Sequence, residues 1–171
     1  MSATMQTPAA AGNYLTFGVS SSHYGLPIGD VIEILESREM NRVPGSSSLV
    51  CGVFNHAGTI VPVVDLHAKL TGSPAPASRR SCIVIVAARQ ERGTISVGLL
   101  VDEVHDVVEA PGLEAAPSFG TSIRLDYLAG LLRTDRGLTI VLAADRFLSA
   151  ADLMEVSAAV QTNETNTSEN S

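Results

Sequence analysis

The chain has 171 residues, of which 45% are hydrophobic and 17% charged, and its formal net charge is −7. This is the composition of a globular protein with a sizeable core. The acidic balance argues against nucleic acid or anionic lipid as the main partner, because phosphate recognition depends on clustered lysine and arginine. Aromatic residues make up only 4%, so we expect a core of valine, isoleucine, leucine and alanine.

The N-terminal segment and the two cysteines indicate where the protein works. The first residues show no basic segment followed by an apolar run, so we expect no signal peptide. No window reaches the roughly 18 consecutive apolar residues of a membrane span. Cys51 and Cys82 each lie in an apolar run and are expected to be buried thiols. We therefore expect a cytoplasmic protein with no direct membrane insertion.

The folded part of the chain is expected to lie between two polar ends. Residues 1–13 and the low-complexity tail at residues 157–171 lack the apolar side chains that a packed structure needs. Both segments are expected to be disordered. This leaves residues 14–156 as the folded domain.

Short strand signals dominate the first half of the chain. Two apolar runs flank a serine turn at residues 20–22, and two more flank a four-residue turn at residues 55–58, so each pair predicts a hairpin. Residues 30–35 predict a helical turn that passes into a strand. Asp65 precedes residues 66–70 in the position of a helix cap. The predicted strands are residues 14–19, 23–28, 49–54 and 59–64.

The second half begins with a loop rich in proline and serine at residues 71–80, which is the best candidate for an internal boundary. Residues 82–86 and 95–101 predict a second hairpin, and residues 104–108 are expected to extend it. Two further strands follow, and then a helix with apolar residues at helical spacing. These last elements are expected at residues 127–132, 138–142 and 144–156.

Many short strands, each followed by a turn signal, favour small β-barrels over an alternating βαβ sheet. The chain is too long for a single five- or six-stranded barrel. We therefore expect an all-β protein with a short C-terminal helix, built from two small barrels.

The candidate catalytic side chains do not form a recognisable set. The four histidines and two cysteines lack the spacing of a metal site, and Cys51 and His56 lack the third, orienting group of a nucleophilic site. Asp65 and Asp102 each follow an apolar strand, where an aspartate more often caps a turn. We expect no catalytic residue, no metal and no cofactor. A small β-barrel hydrolase or ligand-binding module that uses His56, Asp65 or Asp102 stays open as the alternative.

Several motifs, in order, resemble the CheW-like coupling proteins of bacterial chemosensory systems. Residues 31–34 (VIEI) resemble the family's V-x-E-I segment. Residues 52–66 (GVFNHAGTIVPVVDL) are similar to its G-V-x-N-x-R-G-x-x-x-P-V-x-D-L, and residues 98–104 (GLLVDEV) to its G-l-x-V-D-x-V. Each motif is weak alone, but together and at fitting spacing they make the resemblance specific across nearly all of residues 14–156.

The resemblance implies both a fold and a function. The fold would be two small five-stranded, SH3-like barrels packed together. The protein would be a non-enzymatic adaptor that links the cytoplasmic tip of a methyl-accepting chemoreceptor to the regulatory domain of a CheA-type histidine kinase. It would act in receptor arrays on the inner face of the membrane, without a cofactor or nucleic acid.

The family's contact residues carry over position by position. The implied kinase-facing residues are Val31, Glu33 and Gly52. The implied receptor-facing groove lies between the barrels, where an apolar wall can accept the helical tip of a receptor. Its residues would be Asn55, His56, Ala57, Cys82, Gly98, Val101, Val104 and Val107.

The turn at residues 55–58 departs from the family at Ala57. The family has arginine at this position, which offers five donors and a fixed charge, and alanine offers neither. His56 is a candidate to substitute for the arginine in part; otherwise the partners differ or the contact is weakened. His56 beside Asn55 is similar to a subset of the family in alternative, non-flagellar pathways such as the Wsp-type surface-sensing systems.

Overall fold

The computed structural model describes residues 12–36, 50–73, 80–90, 93–115 and 128–143. Strands predominate in this part of the chain, which confirms the expected all-β fold; the helix predicted at residues 144–156 lies outside the described residues. The strands are β1 (Gly12–Val19), β2 (Ser22–Pro27), β3 (Val31–Glu36), β4 (Val50–His56), β5 (Thr59–Asp65), β6 (Cys82–Gln90), β7 (Gly93–Val101), β8 (Glu103–Ala110), β9 (Leu128–Thr134) and β10 (Gly137–Leu142).

The strands form two five-stranded sheets, as expected. The first sheet has the order β8-β1-β2-β10-β9, and the second has the order β3-β6-β7-β5-β4. The pairs β10–β2 and β5–β7 are parallel, and all other neighbours are antiparallel. Both predicted N-terminal hairpins and the β6–β7 hairpin are confirmed by this pairing.

The division of the chain between the sheets differs from the prediction. Strands β3 to β7 belong to one sheet although they lie on both sides of the loop at residues 71–80, so that loop is not an internal boundary. Strand β8 pairs with β1, so the predicted extension of the β6–β7 hairpin by residues 104–108 is wrong. The physical reason is a change of sheet at Asp102, whose backbone N–H donates to the Gly18 carbonyl (3.0 Å) and aligns β8 with β1.

One of two predictions about helical turns is confirmed, and the other is misplaced. Asp65 caps the helix α1 (Leu66–Thr71), because its Oδ1 accepts a hydrogen bond from the Ala68 N–H (3.1 Å). The helical turn predicted within residues 30–35 lies earlier, as a 3₁₀ turn at Ile28–Asp30, because Val31–Glu36 pairs with β6 as strand β3. In the described part of the chain, no helix has the length and hydropathy to cross a membrane.

The two ends of each sheet approach each other, and we call the two sheets barrel 1 (β1, β2, β8, β9, β10) and barrel 2 (β3 to β7). In barrel 1, Glu114 lies just after β8 and forms an antiparallel bridge with Leu131 of β9, with two N···O distances of 2.8 Å. In barrel 2, the terminal strands β3 and β4 meet where Glu33 Oε2 lies 3.0 Å from His56 Nε2. Contact between terminal strands is what closing a sheet into a barrel requires.

The core contains one cluster of buried residues shared by both barrels and a smaller cluster in each barrel. Strand β6 contributes to two of them. Ile83 and Ile85 belong to the cluster of barrel 2, whereas Val84 and Val86 belong to the shared cluster, because successive side chains of a strand point to opposite faces. Both faces of β6 are therefore buried, which explains why its sequence is apolar without interruption.

Candidate partner-binding surface

The β4–β5 hairpin turns tightly at residues 57 and 58. His56 and Thr59 still pair with each other, so the predicted four-residue turn is a two-residue one. Ala57 and Gly58 both have positive φ, 52° and 84°, as in the type I′ turns that match the twist of paired strands. The Asn55 side chain supports this turn, because its Oδ1 accepts a hydrogen bond from the Gly58 N–H (3.0 Å).

Ala57 adopts a backbone conformation that alanine disfavours. The left-handed region costs an L-residue with a Cβ roughly 1–2 kcal/mol, and the pairing of the flanking strands together with the Asn55–Gly58 hydrogen bond holds Ala57 there. Its methyl group is exposed. The turn therefore presents residue 57 to the solvent, and the alanine side chain supplies neither charge nor hydrogen-bond donor.

The neighbouring side chain, His56, closes barrel 2. Its Nε2 lies 3.0 Å from Glu33 Oε2, and the exposed fractions of the His56 and Glu33 side chains are 27% and 45%. The His56 ring also packs edge-on against Phe54, with 6.1 Å between ring centroids. One implied receptor-facing residue and one implied kinase-facing residue are thus in direct contact, so the two implied surfaces meet at this pair.

The other implied kinase-facing residues lie on the same two strands. Val31 is half-buried at the start of β3, and Gly52 is buried within β4. Sequence reasoning missed Ile32 and Ile34, which are 54% and 41% exposed. Strand alternation places Ile34 on the face opposite Glu33, whereas Ile32 lies at the irregularity in the pairing between Val31 and Glu33. Nothing in the sequence indicates that these two side chains stay uncovered.

The remaining implied receptor-facing residues differ in burial. Gly98 and Val101 are buried, whereas Cys82 and Val104 are half-buried against the shared core. Val107 on β8 is 54% exposed. Burial raises the pKa of the Cys82 thiol, which favours the neutral thiol over the thiolate. Gly98 and Val101 therefore contribute packing, and Val107 is the residue of this group with the most surface.

The hairpin turn and the Cys82–Val101 pair lie at opposite ends of barrel 2. Asp65, at the end of β5, is level with Leu100 in the parallel pairing of β5 with β7. Thr59, beside the turn, begins the same strand β5. At about 3.3 Å per residue, the two ends of β5 are about 20 Å apart. The implied receptor-facing set therefore falls into two groups.

The candidate catalytic residues are not assembled into one site. His56 contacts Glu33, Asp65 caps α1, and Asp102 Oδ2 accepts a hydrogen bond from the Ser20 N–H (2.7 Å). His56 and Asp65 are separated by the length of β5, about 20 Å. Among the described residues, no three His, Cys, Asp or Glu side chains form a group that could hold a metal ion. The geometry therefore gives no support to the hydrolase alternative.

A second histidine pair lies in barrel 1, beside Gly18. The rings of His23 and His105 are 5.5 Å apart between centroids, and both Nδ1 atoms are buried without a hydrogen-bond partner. His105 Nε2 lies 3.3 Å from Glu103 Oε1. The hydrogen bond from His105 lowers the pKa of Glu103. This pair lies at the β7–β8 junction, apart from the hairpin turn.

Comparisons with known proteins identify the family. A family model described as CheW-like domain matches residues 13–152, and so includes both barrels. Chemotaxis protein CheW from Klebsiella aerogenes is 27% identical over 142 residues, which cover 82% of this chain and 83% of the relative. Chemotaxis protein CheW from Bacillus subtilis is 33% identical over 105 residues, which cover 60% of this chain and 65% of the relative.

A solved structure supports the same assignment. The crystal structure of the scaffolding protein TtCheW from Thermoanaerobacter tengcongensis is similar to this chain with a TM-score of 0.72 and 25% sequence identity. The similarity covers 86% of this chain and 94% of that one. The sequence motifs, the two barrels and these matches together show that the chain belongs to the CheW-like domain family.

Proposed function

We propose that this chain is a non-enzymatic adaptor that couples the cytoplasmic tip of a methyl-accepting chemoreceptor to the regulatory domain of a CheA-type histidine kinase. The observation that carries the proposal is the CheW-like match across residues 13–152. Relatives named CheW, PilI and FrzA support the coarser statement, a chemotaxis-type scaffold adaptor. Coupling to the receptor and to the kinase is the finer part and rests on the following surfaces.

The kinase-facing surface is proposed to centre on β3. Glu33 offers a partly exposed carboxylate, and its neighbours in the strand, Ile32 and Ile34, add exposed apolar area along the same edge strand. Apolar side chains next to a charged group suit a protein interface, which combines an apolar centre with a polar rim. Val31 and Gly52 would support this surface by shaping the two strands that carry it.

The receptor-facing surface is proposed at the hairpin turn and along β8. The turn presents Asn55, His56 and Ala57, and Val107 offers an exposed apolar side chain on β8. A helical hairpin is long enough to contact two separate places, the projecting turn and the apolar strand surface of β8. The residues proposed to support this surface from the core are Cys82, Gly98, Val101 and Val104.

The proposed receptor contact also sets the location of the adaptor. It would lie at receptor arrays on the inner face of the membrane without inserting into the bilayer. The net charge of −7 opposes direct attraction to anionic lipid. Recruitment to the membrane would therefore depend on the receptor.

Binding of the purified chain to two separate fragments tests the proposal. We expect calorimetry to detect binding to a receptor cytoplasmic fragment and, separately, to the kinase regulatory domain. Ile34→Asp should weaken the kinase interaction by about tenfold or more, as for a central interface residue, and leave the receptor interaction unchanged. Leu138→Asp is the matched control, because Leu138 is 46% exposed on β10. Failure to bind either fragment would contradict the adaptor function.

A further inference from the structure

We infer that His56 is a positioning residue that holds Glu33, and that it makes the kinase-facing surface respond to pH near neutrality. The inference rests on the proposed kinase contact of Glu33. Within the turn at residues 55–58, His56 is the residue whose side chain can carry a positive charge.

The geometry places His56 where it can control Glu33. The Nε2–Oε2 distance of 3.0 Å is that of a hydrogen-bonded pair. The two residues lie on β3 and β4, the terminal strands of barrel 2, so their contact also holds the two edges of the sheet together. Phe54 packs against the His56 ring and limits its orientations. A change in the charge of His56 therefore acts on the orientation of Glu33.

The surroundings of His56 leave Glu33 as its electrostatic partner in the described part of the chain. From β4, the neighbouring side chains are Phe54 and Asn55, and from β5 it is Thr59. None of these three titrates near neutral pH. Histidine as a residue type changes its charge between about pH 5 and pH 8, whereas arginine stays charged throughout. A pair between histidine and glutamate is thus an ion pair only on the acid side of this range.

The consequence is a surface that is better ordered on the acid side of neutrality. With His56 protonated, the charge-assisted hydrogen bond fixes Glu33 and the adjoining β3 surface. With His56 neutral, Glu33 keeps only a weaker hydrogen bond and samples more orientations. Partly exposed ion pairs have modest effects, so we expect the kinase domain to bind about two- to fivefold more tightly at about pH 6 than at about pH 8.

Two variants at the same position separate charge from packing. His56→Gln, which is neutral at every pH, should bind equally at about pH 6 and about pH 8, with the affinity of the native chain at the higher pH. His56→Arg, which is always charged, should bind equally at both pH values, with the affinity of the native chain at the lower pH. His67→Gln is the control, because His67 lies in α1 and contacts Thr71 and Ser73; it should retain the native pH response.

A second readout does not depend on the kinase. In NMR spectra of the free chain, the Glu33 amide signal should differ between about pH 6 and about pH 8, and this difference should vanish in His56→Gln. If the kinase domain binds and His56→Gln keeps the native pH response, the inference is wrong and the proposed function stands. If the Glu33 signal follows His56 but no kinase domain binds at any pH, the proposed function is wrong and the contact is a structural one. Weaker binding at acid pH in the native chain alone would overturn the positioning role.

Discussion

The two barrels of this chain close in different ways. In barrel 1, main-chain hydrogen bonds pair Glu114 with Leu131, and the Arg133 guanidinium adds two hydrogen bonds to the Glu114 carboxylate (2.7 and 3.3 Å). In barrel 2, the terminal strands meet through the side chains of Glu33 and His56. Main-chain pairing fixes the register of two strands, whereas a single side-chain pair leaves them freer to move. The barrel with the more adjustable closure is the one proposed to face the kinase.

The two closures also differ in their response to pH. The hydrogen bonds that Arg133 donates to the Glu114 carboxylate raise the pKa of Arg133 above its usual value, so this cation persists at every physiological pH. The partner of Glu33 in barrel 2 is a histidine, a residue type that, unlike arginine, is not charged at every pH. The contact in barrel 1 therefore has a permanent cation, whereas the contact in barrel 2 is the one that we propose as sensitive to pH.

The largest expected loss of stability comes from adding a methyl group at Gly130, next to the main-chain hydrogen bonds that join the two ends of barrel 1. A Cβ at Gly130 would lie 2.7 Å from Leu113 Cβ and 3.0 Å from the Glu114 carbonyl oxygen. Because that oxygen accepts the main-chain hydrogen bond that closes the barrel, Gly130→Ala should lower the free energy of unfolding by about 2–3 kcal/mol. Urea unfolding measures this loss, and Gly29→Ala, where a Cβ meets open space, is the control. An unchanged unfolding midpoint in Gly130→Ala would show that this closure is not rigid.

A smaller loss is expected from the corresponding change inside barrel 2. A Cβ at Gly98 would lie 2.8 Å from Ile83 Cγ2 and 3.2 Å from Val63 Cγ2. Both neighbours are side-chain atoms that can shift slightly, so Gly98→Ala should cost about 1 kcal/mol in the free energy of unfolding. Thermal and urea unfolding should agree on this value. A larger loss than in Gly130→Ala would reverse the proposed order of rigidity between the barrels.

Two substitutions of Ala57 in the hairpin turn are expected to change the free energy of unfolding in opposite directions. Asparagine tolerates the left-handed conformation that Ala57 is forced to adopt, so Ala57→Asn should raise the free energy of unfolding by about 0.5–1 kcal/mol. Ala57→Val should lower it by a similar amount, because a β-branched residue disfavours positive φ. If both variants have the same urea midpoint as the native chain, the positive φ of Ala57 does not limit stability.

The smallest effect is expected at the β7–β8 junction, where the chain passes from barrel 2 to barrel 1. The hydrogen bond from His105 lowers the pKa of Glu103 below its usual range. A carboxyl group with a lowered pKa stabilises the fold above its unfolded pKa of about 4.3, and this contribution disappears as the pH falls through the folded pKa. Native chain and Glu103→Gln should therefore differ slightly in stability at neutral pH and converge in acid.

Urea midpoints measured between neutral pH and pH 3 would follow this convergence. Glu109→Gln, at the far end of β8, serves as the control and should follow the native curve throughout. A constant gap between the native chain and Glu103→Gln at every pH would contradict the role assigned to the Glu103 carboxylate.

The strands were predictable from sequence because their signals are local. The helix cap at Asp65 and the turn after His56 depend on residues within a few positions of each other. The sheet to which β8 belongs is not a local property. Ser20 and Asp102, whose contact helps to direct β8 toward β1, lie 82 residues apart in the sequence.

The candidate surface was predictable in its members but not in its arrangement. The motif around residues 52–66 singles out His56 and Ala57, yet it does not show that His56 contacts Glu33, because these residues lie on strands at opposite edges of a sheet that curls closed. Likewise, the exposure of Ile34 and the burial of Val101 are set by which strand faces other elements cover. A pattern of alternating apolar residues does not indicate which strand faces are covered in the tertiary structure.

The most direct test of the adaptor account is whether one molecule of this chain binds both partners at once. The kinase regulatory domain would be immobilised, and retention of a receptor cytoplasmic fragment would be measured with and without the chain. We expect retention only when the native chain is present, and its loss with Ile34→Asp. Mutually exclusive binding of the two fragments, or retention that does not need the chain, would contradict the account.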